Sequence, residues 1–470
     1  MTAASVQTRI DLEAINQGVA RFGFGRHAHY VAALDVTGAD PPLGSADDAS
    51  QEAILAGRAQ FLNAQVEPFQ LLVRTEPARL DDHLDRIRQR AQQLPPALAA
   101  LARDHAAFVG GLARQRTLLE RRCYVVLPCG RGRGFDGPSG WGRLLGWVPG
   151  LRRDRSPLAD EQQQALDVGR RLAARCDEVG RQLGRSGLRT RRVGGRSYGE
   201  LYRRCWTPEL AHTQHFCLDL DAYTAPVVRG ASPALGAAPQ EDPPVGPNPA
   251  APAVGTAQAD EVHEHLLELG TRSLADLVAP AGYEMRTDHL RLDGQYARVL
   301  AVTAYPRSVG AGWLEALVDS DLPVELSLHV HPLPSAEVVR LLGHRLVQLQ
   351  ASRLLDAREG RITDPEREIA IEDAERLREA LQRGHERVFS VSVYLLVRGS
   401  TRQELDERTR RVEVLLDGML AHSRRLLWEQ ERGFRSCLPE GRDQLLVARN
   451  LDTSALAATL PFVGSSLTME

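Results

Sequence analysis

Apolar and polar positions along this chain recur with two different periods, and the points where the period changes mark its elements. Residues 19–36, VARFGFGRHAHYVAALDV, alternate as a pleated strand requires and read as two short strands. The pattern then lengthens to that of a helix over residues 47–62 and returns to a strand over 69–73. A long helical stretch over 78–122 is interrupted at Pro95 and Pro96, because proline removes a backbone donor and cannot continue a helix, and CYVVLP is the strand that follows. A loop holding Trp141 and Trp147 leads to a helix over 160–183.

From 226 to 258 the chain becomes GASPALGAAPQEDPPVGPNPAAPAVG in character, a proline, alanine and glycine composition that builds no core, so it reads as a linker. Beyond it, Asp293-Gly294 stands between two alternating runs and predicts a hairpin, since both turn positions tolerate positive φ. A short helix is expected near Trp313. VELSLHVH puts Val324, Leu326, Leu328 and Val330 on one strand face and Glu325, Ser327, His329 and His331 on the other. A helix starting after Ser335 has Val338, Leu342, Leu346 and Leu349 as its inner stripe, and DPEREIAIEDAERLREALQ reads as the second arm of a helical hairpin. VFSVSVYLLV is the next strand. Ser400 and Thr401, with Gln403 and Glu404 three positions on, then cap a helix whose Leu405, Val412, Leu415 and Met419 face inward.

The two halves show one order: hairpin, short helix, strand, long helical pair, strand, helix. A structural duplication is therefore expected, at low sequence identity. The fold class expected is α/β, as α+β sandwiches with mixed or antiparallel sheets and helices on one face of each. The boundaries are an N-terminal domain at 1–222, a linker at 223–260 and a second domain at 261–470.

Composition narrows the function. With 43% hydrophobic and 25% charged residues the chain is globular in type, and no apolar run reaches the roughly 18 residues of a membrane span. The start, MTAASVQTRIDLEA, is too charged for a secretory signal, so the cytoplasm is the default address, and the six cysteines, which lie apart without a CxxC pair, read as reduced thiols. All 58 basic residues are arginine. Without lysine there is no GxxxxGK[ST] phosphate loop and no Schiff-base amine, so no cofactor is expected on this chain.

Charge is also polarised. Between Arg121 and Arg204 stand 19 arginines and 8 acidic residues, a local excess of 11 positive charges, which leaves an excess of 14 negative charges elsewhere. Within that segment Arg131, Arg133, Trp141, Arg143, Trp147, Arg152, Arg153, Arg155, Arg189, Arg191 and Arg192 are the candidate contacts to an anion, an anionic lipid surface, DNA or an acidic partner. The competing readings are a solvated arginine-rich face, and tryptophans packed on the N-terminal sheet.

Other patterns carry less. Gly132 to Gly137 matches GxGxxG, but the following PSGWG does not open the helix a pyrophosphate site needs. His329 and His331 share a strand face and His263 and His265 flank Glu264, yet no HExxH and no third ligand at metal spacing accompanies them. There is no GxSxG elbow, and Ser465 and Ser466 have no marked base.

Four stretches taken together resemble a known family. YARVLAVTAYPRSVGAGWL, LSLHVHPLPS, FRSCLPEGRD and RNLDTSALAATLPFVGSSLTME, in that order, look like the amino-terminal region of the TraC-like conjugative ATPases, the VirB-type motors of type IV secretion systems. The likeness is strongest from about residue 290 onward. In that family the segment resembling LPFVGSSLTME leads into the phosphate loop of a RecA-like, hexameric motor, so the resemblance implies that ATP and magnesium belong to a motor domain not contained in these residues. It implies a non-catalytic module that docks the motor to the inner-membrane complex, peripheral at the cytoplasmic face, and helps it self-associate for export of DNA or protein. A nucleic-acid-binding accessory of conjugative transfer, using the basic segment, is the alternative.

Overall fold

Two strands from opposite sides of the proline-rich stretch, Phe69–Pro77 and Val324–Pro332, lie side by side and antiparallel, with Val73 opposite Leu326 and Phe69 opposite Val330. That pairing decides the architecture. The computed structural model describes residues 6–23, 28–37, 47–77, 81–115, 119–130, 157–208, 274–318, 320, 322–358 and 365–462. The expected linker at 223–260 lies outside them.

In the first half, β1 (Leu12–Asn16), β2 (Val19–Phe22) and β3 (His29–Thr37) precede helix α1 (Asp48–Ala64), and β4 (Phe69–Pro77) follows it. The pair α2 (Asp81–Ala91) and α3 (Pro96–Gln115) leads to β5 (Leu119–Cys129), α4 (Pro157–Arg185), β6 (Arg189–Arg192) and α5 (Gly195–Trp206). The second half begins with α6 (Leu274–Val278), β7 (Tyr283–Met285), β8 (Leu290–Leu292), β9 (Gln295–Ala304), α7 (Glu315–Val318) and β10 (Val324–Pro332). The pair α8 (Ser335–Arg358) and α9 (Pro365–Gln382), then β11 (Val388–Gly399), α10 (Arg402–Gly418), β12 (His422–Arg425), α11 (Gln430–Ser436), β13 (Ala448–Asp452) and α12 (Thr453–Thr459) complete the described chain.

The fold is α/β with one large antiparallel sheet of 13 described strands, running β1-β2-β3-β5-β4-β10-β11-β9-β8-β7, with β6 on β3, β12 on β9 and β13 on β11. The halves follow the same path, β1-β2-β3-β5-β4 and β7-β8-β9-β11-β10, and meet at their equivalent strands β4 and β10. Common descent of the halves is a proposal that this match supports. Periodicity leads to an expectation of two sheets, whereas the described strands form one, because each half ends in a strand whose free edge the other half supplies.

Helices were expected on one face of each sheet, and both faces are covered. Successive residues divide between two cores: Leu71, Val73, Val125, Leu300 and Leu395 pack with α1, α4, α7, α10 and α12. Leu72, Tyr124, Val126, Val299 and Tyr394 pack with α5, α6 and α11. Every residue of β11 is buried, as a strand covered on both sides requires.

Local signals behave as the residues dictate. Asp47 caps α1 by accepting from Ser50, and Thr401 caps α10 by accepting from the Glu404 amide at 3.2 Å. Asp293 and Gly294 take φ of 48° and 86° in the turn between β8 and β9. The inner stripe of α8 holds, with Val338 and Leu346 buried. The last residues assigned to the first helical stretch, 119–122, are instead the start of β5, which pairs with β4.

Candidate interaction site

Of the candidate contacts, Arg131, Arg133, Trp141, Arg143, Trp147, Arg152, Arg153 and Arg155 lie outside the described residues, as do the GxGxxG match, His263, His265, Ser465 and Ser466. Arg189, Arg191 and Arg192 form β6, which pairs with β3 in line with β2 and has no described strand on its other edge. Arg189 and Arg191 are exposed, Arg191 stands 3.4 Å from Asp35, and Arg192 donates to the Gln17 carbonyl at 3.0 Å. Arginines on an edge strand oppose unwanted strand pairing and offer planar donors to an anion or an acidic chain.

The polar face of β10 has a different use from the one the sequence raised. His329 Nε2 donates to the Ser436 carbonyl at 2.7 Å, and Ser327 donates to the same carbonyl at 2.9 Å. Gln70 on β4 donates to Ser327 at 2.9 Å and to the Leu438 carbonyl at 2.9 Å, and accepts from the Gly441 amide at 2.8 Å. No group of three potential metal ligands occurs among the described residues. These side chains hold residues 434–443 across the junction of the halves.

The remaining contacts of that segment come from both halves. Tyr394 on β11 donates to Asp443 at 2.8 Å, Tyr202 on α5 donates to Glu440 at 2.8 Å, and Tyr198 donates to the Pro439 carbonyl. Burial raises the Glu440 carboxyl, against the opposing charge of Arg435. The Asp443 carboxyl is burdened by burial but ends below its ordinary value, held there by His329 and by donors including Tyr394. Burial lowers His331 to about 4, helped by His329, and lowers His29 to about 4, helped by the charge of Arg442.

Gly441 sits at φ 63°, and a Cβ there would lie 2.9 Å from the Pro128 ring. Gly441→Ala is expected to cost about 2–4 kcal/mol, from left-handed backbone strain plus overpacking, read as a lower urea midpoint at unchanged slope. An unchanged midpoint would show that the segment does not pack on β5 as described.

Two further assemblies were not visible in the sequence. At the junction, Glu325 on β10 lies 2.8 Å from Arg398 on β11 and 3.6 Å from Arg74 on β4, all three buried. Both guanidiniums reach the C-terminal end of α5: Arg398 donates to the Cys205 carbonyl at 2.6 Å and Arg74 to the Arg204 carbonyl at 3.1 Å, where the helix leaves acceptors unfilled.

On the opposite face of the sheet, α12 is mounted on the first half. Arg58 of α1 donates to the Leu460 carbonyl at 2.8 Å and lies under the Phe462 ring at 5.6 Å. Thr453 donates to Asn63 at 2.7 Å, and Trp313 donates to Thr459 at 3.0 Å. The hydrogen-bonded pairings link residues between 73 and 402 positions apart in sequence, so no local pattern announces them. No family model matches the chain, and no curated protein matches it.

Proposed function

We propose that this chain is the non-catalytic assembly and docking module of a TraC-like, VirB-type type IV secretion ATPase, peripheral at the cytoplasmic face of the inner membrane. Its partners are the inner-membrane complex proteins of that system and further copies of the chain, and its task is to place the motor for export of DNA or protein. ATP and magnesium would belong to the motor domain, not to these residues.

The observation that carries the reading is that the four stretches resembling that family, though far apart in sequence, touch in two pairs in space. The stretch 296–314 meets the stretch 449–462 where the Gly312 amide donates to the Ala458 carbonyl at 3.1 Å and Trp313 to Thr459. The stretch 326–335 meets 434–443 through Ser327, His329 and the Ser436 carbonyl. The stretches thus meet two by two within the second half, and 434–443 reaches the first half through Gln70, Tyr198 and Tyr202. In this reading α12, the last described helix, rests on α1, which suits a mount. No described helix is long and apolar enough to cross a membrane, and attachment in this reading goes through protein contacts.

The test is binding of the purified chain to the detergent-solubilised inner-membrane complex of the same system, followed by surface plasmon resonance as salt rises. Binding is expected to persist from about 50 to 200 mM salt, because an interface with an apolar centre depends little on counterions. The same preparation is expected to show no ATP turnover. Absence of binding at low salt, or turnover free of contaminants, overturns the proposal. The β6 arginines favour the DNA reading, and tight oligonucleotide binding that falls about 10³-fold or more over the same salt range would replace the docking reading by it.

A further inference from the structure

We propose that β6 is a docking edge for an acidic, extended segment of another protein, which adds as a strand beside Arg189–Arg192 and sets carboxylates at alternate positions opposite Arg189 and Arg191. The inference rests on the docking reading for its protein partner, and adds the surface and the chemistry that this surface recognises.

Register leaves the edge open. Strands β2 and β6 share one side of β3, β2 opposite residues 29–32 and β6 opposite 34–37. β1 covers the far edge of β2 and ends at Asn16, so among the described residues no strand continues that row alongside β6. The Val193 amide donates to the Ala33 carbonyl at 2.9 Å. Antiparallel ladders alternate, so Arg189 and Arg191 turn their backbone groups to β3, and Thr190 and Arg192 turn theirs outward. An amide and a carbonyl at alternate residues are what an added strand takes up.

The two faces of β6 differ. Thr190 faces α4, where a Cβ on Gly180 would lie 2.9 Å from Thr190 Oγ1. Arg189 and Arg191 face the other way, opposite Thr37 and Asp35 of β3, and both are exposed, Arg191 with 80% of its side chain open. Arg191 meets Asp35 at 3.4 Å, a surface pair that contributes little and leaves donors of the planar fork for a second carboxylate.

Charge and edge together select the occupant. Residues 179–199 hold six arginines and no acidic residue, so a carboxylated strand meets no like charge within them. A second copy of β6 would set arginine against arginine, which bars that pairing. A nucleic acid answers the arginines but carries no ladder of amides and carbonyls for the edge. An acidic peptide supplies both. Its pattern follows from the two faces: a carboxylate, then a small or β-branched residue opposite Thr190, then a second carboxylate.

Fluorescence anisotropy on the full chain at low salt tests this with three fluorescein-labelled peptides. The first, Ser-Thr-Glu-Val-Glu-Thr-Ser-Gly, alternates its carboxylates. The second carries an N-methyl group on the valine amide, which removes an edge hydrogen bond and keeps the charge; the third has its two glutamates adjacent. The first is expected to bind saturably, and the other two about tenfold more weakly. Arg189→Glu/Arg191→Glu and Thr190→Pro, whose lost amide points away from β3, are each expected to weaken the first peptide by about the same factor. Circular dichroism checks that the variants fold, and the peptide controls on wild type decide the matter where a variant does not. Amide hydrogen exchange at Thr190 is expected to slow with the first peptide and not with the second. Absence of binding, equal binding of all three peptides, or folded β6 variants that bind like wild type overturns the inference. A single-stranded oligonucleotide that displaces the first peptide and binds more tightly also overturns it, and assigns β6 to nucleic acid. No membrane protein enters the experiment, so a chain that ignores the peptides but binds the membrane complex sinks this inference alone.

Discussion

Glu325→Ala is expected to lower the stability of the folded chain by about 3–5 kcal/mol, the largest single-residue effect anticipated for this protein. Glu325 is 3% exposed and stands between the guanidiniums of Arg74 and Arg398, which are 1% and 9% exposed. Removing the carboxylate leaves two buried cations without the counter-charge they share, while Arg74 keeps the Arg204 carbonyl and the Cys205 thiol and Arg398 keeps the Cys205 carbonyl. Arg74 belongs to the first half and Glu325 and Arg398 to the second, so the loss falls on the strand pairing that fuses the halves. Urea unfolding at neutral pH reads the effect. The double variant Glu325→Ala/Arg398→Ala is expected to lose about 1–3 kcal/mol less than the sum of the two single variants, because the second change removes part of the uncompensated charge. Strict additivity would mean that the three groups do not share one buried network.

Acidification is expected to destabilise the fold well before its carboxylates titrate. His29 and His331 are held at about 4 in the folded chain, against an ordinary value of 6.5, with burial as the main cause for both. Arg442 adds to the effect at His29, where the Glu440 carbonyl opposes it; His329 adds to it at His331, where Asp443 opposes it. His329 is lowered as well, by burial, against Asp443 and the Ser436 carbonyl. Between pH 6.5 and 4 the unfolded chain takes up protons that these imidazoles refuse when folded. Stability is therefore complete above about pH 6.5 and falls as pH drops towards 4, by up to about 3 kcal/mol per histidine. Glu440, raised by burial, works in the opposite sense above its ordinary 4.5 and trims the loss. Urea midpoints at pH 7 and pH 4.5 check the drop, and His29→Gln and His331→Gln are each expected to flatten it. A midpoint constant over that interval, or variants with the parent's slope, would contradict the buried positions of these rings.

Much of the local structure is legible in the residues. The Asp293-Gly294 turn, the Asp47 and Thr401 caps and the helical stripe through Val338 and Leu346 follow from backbone conformations and side-chain spacings that act within one element. The site is legible only in fragments. His329 invites a metal reading because two histidines share a strand face. Its partner, the Ser436 carbonyl, lies 107 residues away and carries no signal in a single sequence. Cys205 and Arg398 likewise meet across 193 residues.

By itself the sequence determined the longer strands and helices and their order, the α/β class, the lack of lysine for phosphate-loop chemistry and the unequal charge of the two halves. These depend on residue type and on short-range periodicity. Tertiary structure alone decided that β4 and β10 join the halves into one sheet, that the polar face of β10 is spent holding residues 434–443, and that α12 rests on α1. The reason is physical: strand edges and buried polar groups are satisfied by whichever partner the folded chain brings near, and that partner is chosen by long-range packing, not by neighbours in sequence.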